Sequence, residues 1–116
     1  MSISDLYAIG LTAPVRESGD LAGTPGVAVI GPKGLVKLAN GLICAKRHIH
    51  MNQTEAKRFN VQNGQIVSIK TSGERAIILN NVVIRIKETF QLECHLDSDE
   101  SNCAGVKNGE IAEIIL

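Results

Sequence analysis

His50-Met51-Asn52-Gln53-Thr54-Glu55, followed by Val61-Gln62-Asn63-Gly64-Gln65-Ile66, returns 45 residues later. The second copy reads His95-Leu96-Asp97-Ser98-Asp99-Glu100, then Val106-Lys107-Asn108-Gly109-Glu110-Ile111. Ile69 and Ile114 extend the series at the same offset. Chance supplies one or two such matches, whereas a series in register marks an internal repeat. Each unit reads as a strand ending in His, a capped short helix, an Asn-Gly turn and a second strand. In both, the cap residue (Asn52, Asp97) precedes a glutamate by three positions, which is the capping-box spacing. The first helix is expected to run through about Arg58. Two copies in so short a chain predict a mainly β fold: a small closed β-barrel with a pseudo-twofold repeat and short capping helices. Closure would remove the open edges of an apolar sheet, and the two-fold would bring His50 and His95 together.

Outward from the repeat, Val36–Leu38 and Leu42–Ala45 read as short strands, and Lys46 to Met51 continues in alternation. Ile66–Lys70 is a strand, Ser72-Gly73 turns the chain, and Arg75–Leu79 and Val82–Ile86 form strands around Asn80-Asn81. Phe90–Leu96 completes the set. Residues 1–34 differ. Pro14, Gly19, Gly23, Pro25, Gly26, Gly31, Pro32 and Gly34 punctuate a turn-rich segment with one short apolar run, Val27 to Ile30. The expected organisation is therefore a turn-rich segment over 1–34, packing on the barrel or a partner, and a β-barrel domain over 35–116.

Composition narrows the function. With 12 Lys plus Arg against 12 Asp plus Glu, no net field draws the chain to nucleic acid or a membrane surface. No basic run interleaves with aromatics, which argues against a nucleic-acid module. No apolar stretch of about 18 residues and no charged-then-apolar leader is present, so a cytoplasmic protein is expected. Two Phe, one Tyr and no Trp leave the core to Ile, Val, Leu and Ala. Cys44, Cys94 and Cys103 are odd in number and lack C-x-x-C spacing, so they are expected as reduced, mostly buried thiols.

His48-Ile49-His50 lies on an expected strand, whose period of two sends both imidazoles from one face while Ile49 packs behind. Two nitrogen donors on one strand with a third from elsewhere make an open zinc site, and the repeat supplies His95 as the third. Imidazole also suits iron, copper or nickel. Glu93 and Asp97 share the parity of His95 and are candidates to fix a histidine tautomer, although Asp97 reads first as a helix cap. Lys46 and Arg47 precede the metal strand, where a guanidinium would favour an anionic substrate.

Gly41-Leu42-Ile43-Cys44-Ala45-Lys46-Arg47-His48-Ile49-His50-Met51 resembles the signature of the PduL-type phosphate acyltransferases (phosphate propanoyltransferases). Pro14-Val15-Arg16-Glu17-Ser18-Gly19-Asp20, Gly31-Pro32-Lys33-Gly34, Gly73-Glu74-Arg75 and Asn80-Asn81-Val82 continue the likeness. So does Glu93-Cys94-His95-Leu96-Asp97-Ser98-Asp99-Glu100. The resemblance covers nearly the whole chain and concerns the second half of that family. It implies interconversion of a short-chain acyl-CoA plus phosphate with an acyl phosphate plus free coenzyme A. It further implies paired β-barrels and a two-zinc site, in which His48, His50 and His95 bind one zinc and serve catalysis. The family's first barrel, with its own H-x-H, carboxylate ligand and phosphate-binding arginine, has no match in these residues. Arg47 and Arg16 are the candidates here for phosphate or coenzyme A contact. A homo-oligomer, or a complementary chain resembling the N-terminal half, is expected to complete the site, in the cytoplasm or inside a bacterial microcompartment. The competing expectations are a non-catalytic zinc-binding half-domain that needs a partner chain, and a metal-free barrel used for protein interaction.

Overall fold

A computed structural model describes residues 1–116. The chain is mainly β with three short helices, and it divides into two compact units, Met1–Lys46 and Arg47–Leu116.

In the first unit, helix α1 spans Ile3–Ala8, where only turns were expected. A capping box explains it: the Asp5 backbone N–H donates to Ser2 Oγ at 3.1 Å, and the Ser2 N–H donates to Asp5 Oδ2 at 3.3 Å. Strand β1 (Val15–Arg16) pairs in parallel with β4 (Cys44–Ala45). Between them, β2 (Val27–Gly31) and β3 (Gly34–Leu38) form an antiparallel hairpin that turns over Pro32 and Lys33. Gly26 enters that hairpin so close to the opposite strand that a Cβ would lie 2.3 Å from the Leu38 carbonyl oxygen. Buried Thr24 closes the base, its hydroxyl donating to the Leu21 carbonyl at 2.6 Å and accepting from the Gly41 N–H at 2.9 Å.

The second unit carries the repeat. Its elements are β5 (His48–Met51), α2 (Gln53–Phe59), β6 (Ile66–Lys70), β7 (Ile78–Ile86), β8 (Glu93–His95), α3 (Ser98–Ala104) and β9 (Glu113–Ile115). Both helices start on the expected boxes, Asn52 with Glu55 and Asp97 with Glu100. Both end on a left-handed residue, Asn60 at φ 55° and Gly105 at φ 65°, again 45 positions apart. Left-handed backbone is what Gly and Asn tolerate at a helix C-terminus.

The strands form one sheet in the order β8-β5-β7-β6-β9, with β5 and β7 parallel and the other neighbours antiparallel. The registers obey a two-fold. His48 faces His95 and His50 faces Glu93, and subtracting 45 makes each the other's image about Ile49 and Cys94. Ser68 faces Ile115 and Lys70 faces Glu113, symmetric about Ile69 and Ile114. The sheet ends on β8 and β9, so the expected closed barrel is not shown. The physical reason is that β7, the strand joining β5 to β6, occurs once.

Ile49, Met51, Val67, Ile69, Val82 and Ile84 form the core with Ala56 of α2. Burying each large aliphatic side chain contributes roughly 1.5–3 kcal/mol. Two expected strands, Arg75–Leu79 and Val82–Ile86, give way to the single β7, which begins only at Ile78 and runs on through Asn80-Asn81 because that pair forms no turn. Asn81 instead takes φ 57°, and the β6–β7 register shifts between Val67 and Ile69. That is the effect of a bulge. The strand expected over Phe90–Leu96 is confined to Glu93–His95.

Candidate metal centre

Strand β5 presents His48 and His50 on one face and buries Ile49 and Met51 on the other. The antiparallel ladder sets His95 of β8 directly opposite His48. Three imidazoles thus meet, with ring centroids 4.6 Å apart for His48–His50, 4.9 Å for His48–His95 and 4.5 Å for His50–His95. Each offers one nitrogen, and those nitrogens lie within 4.8 Å of one another. A tetrahedral zinc with bonds of about 2.0–2.1 Å wants its nitrogens roughly 3.3 Å apart. Ring rotations of about an ångström span that difference.

His50 carries the telling atom. Its Nε2 is buried with no hydrogen-bond partner, a condition that costs about 1–3 kcal/mol when nothing compensates. Its pKa lies below the ordinary imidazole value, first through desolvation and then through the neighbouring charges of His48, His95 and Arg85, with Glu93 opposing. A neutral imidazole with an unsatisfied inward nitrogen fits a metal ligand. Phe90 stacks on the same ring at 3.9 Å and 16°, restricting its rotation. Glu93 Oε2 lies 3.5 Å from His95 Nε2, and Glu93 faces His50 across the ladder. By the 45-residue offset Glu93 is the counterpart of His48, so the site is a near-symmetric ring of three imidazoles and one carboxylate.

The other candidates are placed differently. Arg47 donates from Nε to the Asn80 carbonyl at 2.6 Å and from Nη1 to Glu100 Oε1 at 2.8 Å. Its guanidinium therefore ties the start of β5 to the capping glutamate of α3. Arg16 belongs to the first unit, where Nη1 pairs with Asp20 Oδ2 at 3.3 Å and reaches the Ala22 carbonyl at 3.4 Å. Asp97 is the N-cap of α3. All three cysteines are unbridged, but only Cys44 is buried, while Cys94 and Cys103 lie on exposed residues. The Cys94 thiol is nonetheless pushed up to about 11, by burial first and then by Glu100, with Arg47 opposing. Phe90 was not singled out from sequence, because an aromatic three residues before a short edge strand carries no pattern of its own.

The sequence profile of a family described as phosphate propanoyltransferase matches residues 1–107. A phosphate propanoyltransferase of Listeria monocytogenes is 46% identical over 115 residues, covering 99% of this chain and 54% of that protein. One from Thermotoga maritima is 44% identical over 116 residues, covering 99% and 55%. One from Salmonella arizonae is 46% identical over 106 residues, covering 90% and 50%. The chain spans about half the length of the curated relatives it matches.

Proposed function

This chain belongs to the phosphate propanoyltransferase family, and from that premise we propose that it acts in zinc-dependent acyl transfer between coenzyme A and inorganic phosphate. The observation that supports this most directly is the convergence of His48, His50 and His95, with the His50 Nε2 left without a partner. Those three side chains would hold one zinc. When bound, the ion supplies a Lewis acid for a phosphate or thioester oxygen. Phe90 stacks on the His50 ring and restrains its orientation. Arg47 would hold a phosphate or coenzyme A only by yielding its bond to Glu100; Arg16 is the second candidate anion contact. The substrates in this reading are a short-chain acyl-CoA and phosphate, with an acyl phosphate and free coenzyme A on the other side. The five-stranded sheet is the larger part of a closed barrel, and the setting is the cytoplasm or a bacterial microcompartment. No helix is long and apolar enough to cross a membrane.

A second reading is a zinc-binding, non-catalytic subunit that turns over substrate only with a partner chain or a second copy. It is favoured by the ion pair that occupies Arg47. One assay separates the two. Zinc content and solution mass are measured first, and thiol release from propanoyl-CoA is then followed with phosphate, with chelator, and after zinc is restored. Chelator-sensitive turnover by the chain alone supports catalysis. Zinc at one ion per chain without turnover in any oligomeric state removes the enzyme claim and leaves the subunit.

A further inference from the structure

The row of the sheet that carries His50 holds a positive charge that nothing in the chain neutralises. Along that row, β8, β5 and β7 set Glu93, His50 and Arg85 in register, with His50 in the middle. Residues paired across neighbouring strands project from one face, so Arg85 stands on the histidine side, one strand from His50. Ile84 beside it is fully buried in the core on the other face. Desolvation, His48 and His95 lower the His50 pKa first, and Arg85 adds to them; its guanidinium is therefore felt at the ring.

The other arginines are engaged within the fold. Arg16 pairs with Asp20, and Arg47 with Glu100 and the Asn80 carbonyl. Arg58 lies over the Phe59 ring at 4.8 Å, and the Arg75 stem packs along Gly105. Arg85 donates no hydrogen bond and forms no ion pair in the chain. It is half-buried on β7, a strand with a neighbour on each side. A fully solvated arginine needs no partner, but one held half-buried beside three imidazoles has lost water without gaining an acceptor. Lys87 brings a second cation at the same parity. Its N–H donates to the Met51 carbonyl at 3.1 Å, which keeps the chain beside β5. Its Nζ stands 5.8 Å from the centre of the Phe90 ring, which stacks on His50.

We propose that Arg85 binds the phosphoryl oxyanion at the histidine face, donating two N–H groups to two of its oxygens, with Lys87 adding charge. A planar guanidinium matches two oxygens of a tetrahedral phosphate, and two cations that form no ion pair suit a dianion better than a monoanion. Inorganic phosphate and coenzyme A both carry phosphoryl groups. The position beside the imidazoles points to the former, since the reacting phosphate belongs at the metal centre. That choice of source rests on the acyl-transfer reading, whereas the anion site rests on register, burial and the missing partner. Arg85 escapes notice in the sequence because a lone arginine in an apolar strand has no spacing of its own; the parallel β5–β7 ladder brings it to the site.

The test titrates inorganic phosphate, and separately adenosine 3′,5′-bisphosphate as the nucleotide end of coenzyme A, into the full chain at constant ionic strength. Each titration is run with zinc and with chelator, and binding is read by calorimetry. Arg85→Gln is expected to weaken phosphate about tenfold or more in the zinc-loaded chain. Arg85→Lys should weaken it less, because the charge stays while the fork is lost, and Arg58→Gln should bind as the wild type does. In isotope-labelled wild type the Arg85 Nε–H resonance should shift with the same Kd, a readout that holds even where the Gln variant fails to fold. Wild-type affinity in Arg85→Gln, a loss confined to the bisphosphate, or an Nε–H signal unmoved at saturating phosphate overturns the proposal. So does a chain that binds phosphate in neither state. Where the chain takes up no zinc, the metal reading falls and the chelated titration alone decides for or against Arg85. Arg85-dependent phosphate binding without thiol release from propanoyl-CoA upholds the anion site and counts against turnover instead.

Discussion

His50 is where sequence, geometry and chemistry meet in one residue. Its place two after His48 was legible from strand periodicity, and its nearness to His95 from the repeat. Its stacking on Phe90 was not, because that contact depends on how the chain returns after β7. Replacing His48 or His95 with Ala removes one of three donors and is expected to drop bound zinc below 0.2 ion per chain (roughly, from loss of a third of the ligand set), read by elemental analysis after dialysis. Retention of one ion in both variants would sink the three-histidine site. The lowered His50 pKa also has a consequence in the chelated chain. The unfolded state there binds a proton that the folded state resists, so stability is full above about pH 6.5 and falls as pH drops below it. Urea midpoints at pH 7.5 and 5 should show this loss, and His50→Gln should lessen the pH dependence; an equal slope in both proteins argues against it.

At the scale of elements, the capping boxes made the two repeat helices readable, because a short polar cap and a glutamate three residues on are a local chemical signal. Ser2 and Asp5 carry the same signal for α1, yet the surrounding turn residues masked it. Asn80-Asn81 misled in the other direction: Asn tolerates left-handed backbone, so the pair could be absorbed as a bulge inside β7. The caps should prove nearly equivalent. Asn52→Ala and Asp97→Ala should each cost about 1 kcal/mol, measured by denaturant unfolding. Arg47→Ala should cost more, about 1.5–3 kcal/mol, since it strips a charge-assisted bond from Glu100 as well as the Asn80 contact. An Arg47→Ala chain that keeps its stability would show the guanidinium free for a substrate anion instead.

For the molecule as a whole, composition correctly indicated a core built on aliphatic residues, and the repeat correctly brought His50 near His95. Closure goes beyond what the sheet order shows. A two-fold guarantees that paired strands face each other, but it does not supply the mate of a strand present once. The same fact would make a bound metal matter to stability. His48 and His95 sit on different strands, and β8 is an edge with one neighbour, so little else holds the third histidine in place. An ion bound by both strands adds a cross-link that the unfolded chain lacks. At free zinc a thousandfold above Kd the stabilisation is about 4 kcal/mol, so chelation should lower the unfolding midpoint markedly and zinc should restore it. The His48→Ala/His95→Ala double variant should melt near the chelated wild type and ignore added zinc. Were zinc to raise its midpoint as it does the wild type's, the ion would be binding elsewhere, and the histidines would be packing partners that merely share a face of the sheet.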